Sequence, residues 1–281
     1  MRRAFTLVEL LMGMMITTML STVLGAMMVA VTDGWDHTTG LDDATQQARI
    51  GMERIGYMVS QAGVYQLPGQ PTIPGLAVVQ RPDGSNLLPE ILVVWSGGPT
   101  GGMSAAGMQS RLPLISELVI YAPQASNPSR LVEITSPANM ASIDFSAPEF
   151  GATILAIVAA PPVTPVLLCD RLHVSSLGGG PFGGAQWAGN ARFEIFQLPS
   201  DASLAGVVPG STNWNNLVWS QGIVSSSFGL RQATLRMELQ LEPRPLPPGT
   251  TFTGQSVPAV ALSNSAIPFI GSASFPYAYS P

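Results

Sequence analysis

The chain has no lysine, and its 12 basic residues are all arginine, against 17 acidic ones. A phosphate-gripping P-loop needs its Lys, and so does a pyridoxal Schiff base, so both chemistries are excluded. Cysteine is reduced to Cys169 alone. One thiol can form neither an intrachain disulfide nor a cysteine-based zinc cluster, which excludes the disulfide-stapled scaffolds. Charge of either sign is scarce, at 10% of 281 residues. The balance is mildly negative and there is no basic patch, so the electrostatic footprint of a nucleic-acid binder is missing and no nucleic-acid partner is expected. No G-x-S-x-G elbow occurs, and the Gly-rich stretches 97–107 and 178–184 match neither the P-loop nor the dinucleotide fingerprint. No catalytic residue and no cofactor is expected, and the chain is not read as an enzyme.

What the sequence does have is concentrated at the N-terminus. After Met1-Arg2-Arg3-Ala4, the stretch from Phe5 to Val31 is apolar except for Thr, Ser and a single charge, Glu9. This run exceeds the roughly 20 residues a helix needs to cross a bilayer core. Its hydroxyls are tolerable there because they can bond back to helix carbonyls. Arg2 and Arg3 place the N-terminus on the cytoplasmic side by the positive-inside bias, with the bulk of the chain across the membrane. Three plainer readings compete. A secretory signal peptide has a much shorter apolar region, and no small-x-small cleavage site follows closely here. A simple signal anchor explains length and arginines but not Glu9, since a carboxylate near the centre of a membrane helix costs about 2.5–3.5 kcal/mol on insertion scales, and less near an end. A buried core helix at the extreme N-terminus of a soluble protein is unusual without an amphipathic face.

The residues Arg3-Ala4-Phe5-Thr6-Leu7-Val8-Glu9-Leu10-Leu11 resemble the signal of type IV prepilins and type II secretion pseudopilins. That resemblance implies cleavage by a prepilin peptidase between Ala4 and Phe5, N-methylation of Phe5, and use of Glu9 in assembly. The family usually carries Gly where Ala4 stands. It also implies a minimal partner set: the peptidase, other pilin or pseudopilin subunits, an inner-membrane assembly platform and membrane lipid. Pairing of Glu9 with the new amine of a neighbouring chain would offset the cost of a lone acid in a low-dielectric bundle, and would set axial register as buried polar groups do in coiled coils.

Past the apolar run come Asp33, Gly34, Trp35, Asp36 and His37, with Trp35 where interfacial aromatics concentrate. Gly34 and Gly40 are positions at which the helix could bend. From Leu41 the spacing turns amphipathic: Leu41, Ala44, Ala48, Met52, Ile55, Val59 and Ala62 recur at three or four. Gly63 is the expected stop. Beyond Val64 the chain reads as strands bounded by Pro, Gly, Asn and Ser: 90–95, 117–121, 130–135, 153–159, 166–174, 192–198, 216–220 and 233–242. Pro82-Asp83-Gly84-Ser85 reads as a tight turn. After Arg244 there is no charge, and that tail is either a late edge strand with loops or poorly ordered. The metal candidates are His37 with Asp33 and Asp36, and His173 with Cys169 and Asp170. Each needs more ligands than the sequence places nearby, so no metal site is assigned. Cys169, after Val166-Leu167-Leu168, reads as a small buried hydrophobe.

The expected fold class is α+β, a long N-terminal helix (membrane half plus amphipathic half) packed on an antiparallel β-sheet domain. The expected segments are a leader 1–4, a transmembrane and assembly helix 5–33, an extracytoplasmic amphipathic helix 34–63, a β-rich head 64–244 and an uncharged Pro/Ser-rich segment 245–281. Met52-Glu53-Arg54-Ile55 through Val64, and Leu230 through Leu239, are similar to segments of J-type minor pseudopilins and W-type minor pilins. The expected function is that of a structural subunit, a minor pilin or minor pseudopilin. It would be single-pass in the cytoplasmic membrane, with its head in the periplasm or outside the cell. One alternative is an adhesive or DNA-uptake subunit that makes contact through the tail and Gly-rich loops. The other is a membrane-anchored extracytoplasmic binding or enzymatic domain outside any filament.

Overall fold

A computed structural model describes residues 7–83, 86–103, 108–176, 187–244, 246, 250, 252 and 266–281. The turn tip 84–85, the Gly-rich stretch 178–184, part of the 97–107 loop and most of the tail before 266 lie outside the described residues. The architecture is α+β: one long N-terminal helix against antiparallel sheets.

Helix α1 (Leu7–Ser60) spans 54 residues, about 80 Å at 1.5 Å per residue. It passes through Gly34 and Gly40 without interruption and ends three residues before Gly63. In its second half the buried positions are Gly40, Ala44, Ala48, Gly51, Ile55, Met58 and Val59, with Ala62 just beyond the end. Their spacing of three and four makes one continuous stripe. Leu41 and Met52 sit on its shoulders, partly buried.

Two short strands, β1 (Val64–Tyr65) and β2 (Ile73–Pro74), form a ribbon after the helix. The larger sheet is an antiparallel meander of β3 (Leu76–Asp83), β4 (Asn86–Trp95), β5 (Leu118–Gln124) and β6 (Asn127–Thr135). It is completed, after helix α2 (Phe150–Ala159), by β7 (Val166–Cys169). A second ribbon pairs β8 (Val174–Ser176) with β9 (Trp187–Gly189). The smaller sheet holds β10 (Ala191–Leu198), β11 (Gly229–Leu241) and β12 (Ile267–Tyr279), with β11 in the middle. Between β10 and β11 lie two single-turn helices, α3 (Asp201–Leu204) and α4 (Thr212–Asn215).

The period-two geometry of strands explains why Ile91–Trp95 of β4 and Leu118–Ala122 of β5 are apolar at every position. Leu92, Val94, Val119 and Tyr121 face the core shared with α1 and the smaller sheet. Ile91, Val93, Trp95, Leu118 and Ile120 face a second core closed by α2 through Phe150, Ile154 and Val158. A strand buried on both faces reads as a continuous run instead of an alternation. The alternation is visible in β11, where Arg231, Ala233, Leu235, Met237, Leu239 and Leu241 are buried and their neighbours are more open.

Several sequence expectations need correction. Residues 153–159 are not a strand but most of α2. A short apolar run does not distinguish buried strand from buried helix, and here Phe150, Ile154 and Val158 recur at four, the helical spacing. Residues 216–220 are not a strand either. Trp214 and Trp219 pack with ring centroids 4.5 Å apart, folding the segment into turns around a small aromatic core with Leu204. The single strand expected over 166–174 is broken into β7 and β8, because Asp170–His173 turns toward α1. Strands β1, β2, β3 and β9 are additional to those the sequence predicts, and β12 is the late edge strand that is one of the two readings of the tail.

An ion pair ties the last two turns of α1 to the larger sheet. The Arg54 guanidinium donates to both carboxylate oxygens of Glu133 at 2.8 Å and to the Pro99 carbonyl at 2.6 Å. The Tyr121 hydroxyl donates to Glu133 at 3.1 Å. The Glu133 side chain is 4% exposed and that of Arg54 29%. Removing one partner strands a buried charge, so Arg54→Met is expected to cost about 2–4 kcal/mol, below the fully buried range because Arg54 keeps some solvent. Arg54→Met with Glu133→Gln should cost clearly less, since no charge is then left behind. Urea unfolding of the detergent-solubilised chain reads both, and equal losses would remove the ion-pair account.

Candidate functional site: the apolar helix and its junction with the head

Every described side chain from Leu7 to Thr39 is exposed. Leu7 to Val31 carries Leu, Met, Val and Ile around its whole circumference, and nothing else in the described chain covers it. By length and composition this helix can cross a membrane. The hydroxyls behave as expected of Thr in such a setting. Thr17 donates to the Gly13 carbonyl at 2.7 Å, Thr18 to Met14 at 3.0 Å, Thr22 to Thr18 at 2.5 Å and Thr32 to Met28 at 2.9 Å. Each satisfies its own polar group without a partner from outside the helix. Glu9 stands in the first described turn of α1. Ala4 and Phe5 lie outside the described residues.

Just past the apolar run, the head closes on the helix. Arg171, at the turn after β7, donates to the Gly40 carbonyl at 3.1 Å, to the Pro243 carbonyl at 2.7 Å and to the Asp43 carboxylate at 2.9 Å. The Gln47 amide oxygen accepts from the Asp170 backbone N–H at 3.2 Å. Arg244 approaches Asp33 at 3.6 Å. The two sheets meet here as well. The Glu242 N–H donates to the Arg171 carbonyl and the His173 N–H to the Gln240 carbonyl, at 2.8 and 2.7 Å, and the His173 ring pairs with the Glu242 carboxylate. Gly40 permits the approach. A Cβ there would lie 2.0 Å from the Pro243 carbonyl oxygen.

The sequence flagged His173, Asp170 and Cys169 together as a weak metal candidate. The structure instead turns His173 toward Glu242 and buries Cys169 in the helix-facing core. Among the described residues no group of three or more His, Cys, Asp or Glu could hold a metal ion. His37 remains on the exposed face of α1. Sequence reasoning missed Arg171, Gly40 and Pro243. The available signal was an arginine beside an apolar strand with carboxylates Asp42 and Asp43 elsewhere in the chain, which does not identify its partner.

Two tests follow from this geometry. Gly34 has nothing within 4 Å of a Cβ position, so Gly34→Ala should stabilise the chain by about 0.5–1 kcal/mol through helix propensity. Gly40→Ala should instead destabilise it by about 1–3 kcal/mol through overpacking. Thermal unfolding of the two variants separates them, and a matching gain at both positions would refute the close approach. Burial pushes the Cys169 thiol up to about 11 from an ordinary 9. Ionisation therefore favours the unfolded chain, and stability is expected to fall as pH rises from about 9 through 11. In native protein at pH 8 iodoacetamide should leave Cys169 unmodified and should alkylate it in urea, with intact mass as the readout; native labelling would contradict the burial.

No protein-family model, curated protein or solved structure matches this chain.

Proposed function

We propose that the chain is a structural subunit of a type IV pilus-like or type II secretion filament, in the manner of a minor pilin or minor pseudopilin. It would be held in the cytoplasmic membrane by α1 and then assembled through it. The observation that carries this reading is the two-part helix: uncovered and apolar from Leu7 to Val31 with one carboxylate at Glu9, then rigidly continuous with a half buried in the head. A plain anchor needs no such rigidity, because a flexible linker tethers equally well. A subunit whose helix must enter a bundle at fixed height relative to its head does need it.

In this reading a peptidase cleaves between Ala4 and Phe5, and the new amine on Phe5 carries a methyl group. Glu9 of one chain then pairs with the amine of a neighbour. A carboxylate near the helix end waits in the membrane at modest cost and gains a partner on assembly. The minor-subunit reading is supported by two placements. Arg54, within the segment similar to J- and W-type subunits, fixes the helix to the head through Glu133. Leu230–Leu239, the second similar segment, lies in β11, the strand before the last among the described residues. The head is also large for a subunit repeated at every position of a shaft.

The test is co-expression with a prepilin peptidase, followed by intact mass and N-terminal sequencing. The expected mature chain starts at Phe5 with one added methyl. Glu9→Ala should still insert in the membrane but lose incorporation into sheared filaments by at least about tenfold, equivalent to one lost buried charge pairing. A chain left uncut at Met1, or cut after Val31, together with full function of Glu9→Ala, would favour a membrane-anchored binding or enzymatic domain.

A further inference from the structure

At the helix–head junction a cleft of about 450 Å³ opens between α1 and the segments carrying Arg171 and Arg244, a size within the roughly 300–1,000 Å³ common for small-molecule sites. Its charges are of both signs. Asp33, Asp36 and Asp43 stand against Arg171 and Arg244, which leaves one negative charge in excess. Arg171 and Asp43 are occupied with each other. The remaining charges are loosely held. The Arg244 guanidinium is half exposed and its 3.6 Å approach to Asp33 exceeds hydrogen-bond length. Asp36 pairs with no basic side chain among the described residues. Trp35, beside them on the rim, is 73% exposed.

The level of this cleft along α1 narrows the class of ligand it can meet. From Leu7 to Val31 the helix rises about 37 Å, enough to cross a ~30 Å hydrocarbon core with some tilt. Asp33 and Asp36 then lie about 3–8 Å beyond Val31 along the helix axis, within the headgroup layer that adds roughly 5–8 Å to each face. A cleft opening at that level meets lipid headgroups at the density of the bilayer itself. We propose that it binds the headgroup of a zwitterionic aminophospholipid, with the phosphate on Arg244 and the ethanolamine ammonium on Asp36. A guanidinium fork matches phosphate oxygens. A primary ammonium donates hydrogen bonds to a carboxylate, whereas a trimethylammonium has no N–H to give. An anionic glycerol headgroup satisfies Arg244 but leaves Asp36 uncompensated beside a negative surface. The bound headgroup would bridge the helix to the chain after β11 and hold the head at a fixed height over the bilayer. This inference rests on the membrane-spanning reading of α1.

The experiment reconstitutes the full chain in vesicles of phosphatidylethanolamine, phosphatidylglycerol and phosphatidylcholine in equal parts. Insertion is checked first by resistance to alkaline carbonate extraction. Lipids retained on the protein are then counted by native mass spectrometry during stepwise detergent stripping. Phosphatidylethanolamine is expected to be enriched on the wild type by roughly threefold over each of the other lipids, the size of one partly exposed charge pair. Asp36→Asn and Arg244→Gln should each abolish the enrichment, while Arg111→Gln, on the far side of the head, keeps it. Asp36 is exposed, so its variant folds whatever Arg244 contributes to the junction. Retention in proportion to vesicle composition, or enrichment unchanged in Asp36→Asn, overturns the proposal with the membrane reading intact. A wild-type chain extracted by carbonate overturns both together.

Discussion

The close passage of Pro243 over Gly40 fixes the geometry from which the head follows. Two sheets of different size have to be held against one helix, and both send their ends to the same level of α1. The larger sheet arrives through β7 and Arg171, the smaller through β11 and Pro243. Arg171 bonds to the helix, to the other sheet's exit segment and to Asp43, so one guanidinium joins three elements. Such a hub depends on the two terminal nitrogens of a fixed planar fork, Nη1 toward Gly40 and Pro243 and Nη2 toward Asp43. It also depends on a helix surface without a Cβ at the point of contact, which is why glycine stands at 40 despite its cost to the helix.

From that point the helix-facing side chains widen along α1. Gly40, Ala44, Ala48 and Gly51 give way to Ile55, Met58 and Val59, so the side-chain volume on the buried stripe grows from the junction toward the end of the helix. The larger side chains supply most of the hydrophobic stabilisation, at about 1.5–3 kcal/mol for each fully buried one. The smaller ones supply position. Beside these larger side chains Arg54 reaches Glu133, a charge pair whose directionality fixes the rotation of the helix about its axis. Packing of Ile55 and Met58 alone would tolerate small rotations more easily than a bidentate pair does.

The helix and its buried stripe were legible in the sequence because a period of three and four persists from Leu41 to Ala62. The strands β4, β5, β6, β10 and β11 were legible from their β-branched runs. Residues 153–159 misled because an apolar decapeptide with small residues and no charge carries no period strong enough to separate helix from strand. Residues 216–220 misled because Trp219 looks like a strand former until its tilted packing on Trp214 is known. Glu9 and the apolar run needed no tertiary information. The junction was illegible for the opposite reason: Gly40, Arg171 and Pro243 are far apart in the chain, and none has a local pattern that names the others.

The distribution of charge over the head bears on the proposed filament role. Arg54, Arg81, Arg111, Arg171 and Arg231 all reach carboxylates within the chain, so much of an already sparse charge is spent inside the fold. The exposed surface includes Leu87, Phe196, Val208, Val218 and Ile270. Such a surface gains little solubility from charge repulsion, which would be a liability in a dilute monomer and is less of one in a subunit packed among others. The open edge is managed separately. Strand β12 carries no charge to guard it, yet Pro268 and Pro276 fall opposite Gln240 and Gln232 in its ladder. Each removes a backbone donor on an edge strand, which limits indiscriminate strand pairing. In the proposed filament, association would fall to the helix, whose stretch from Leu10 to Val31 is interrupted by neither charge nor proline.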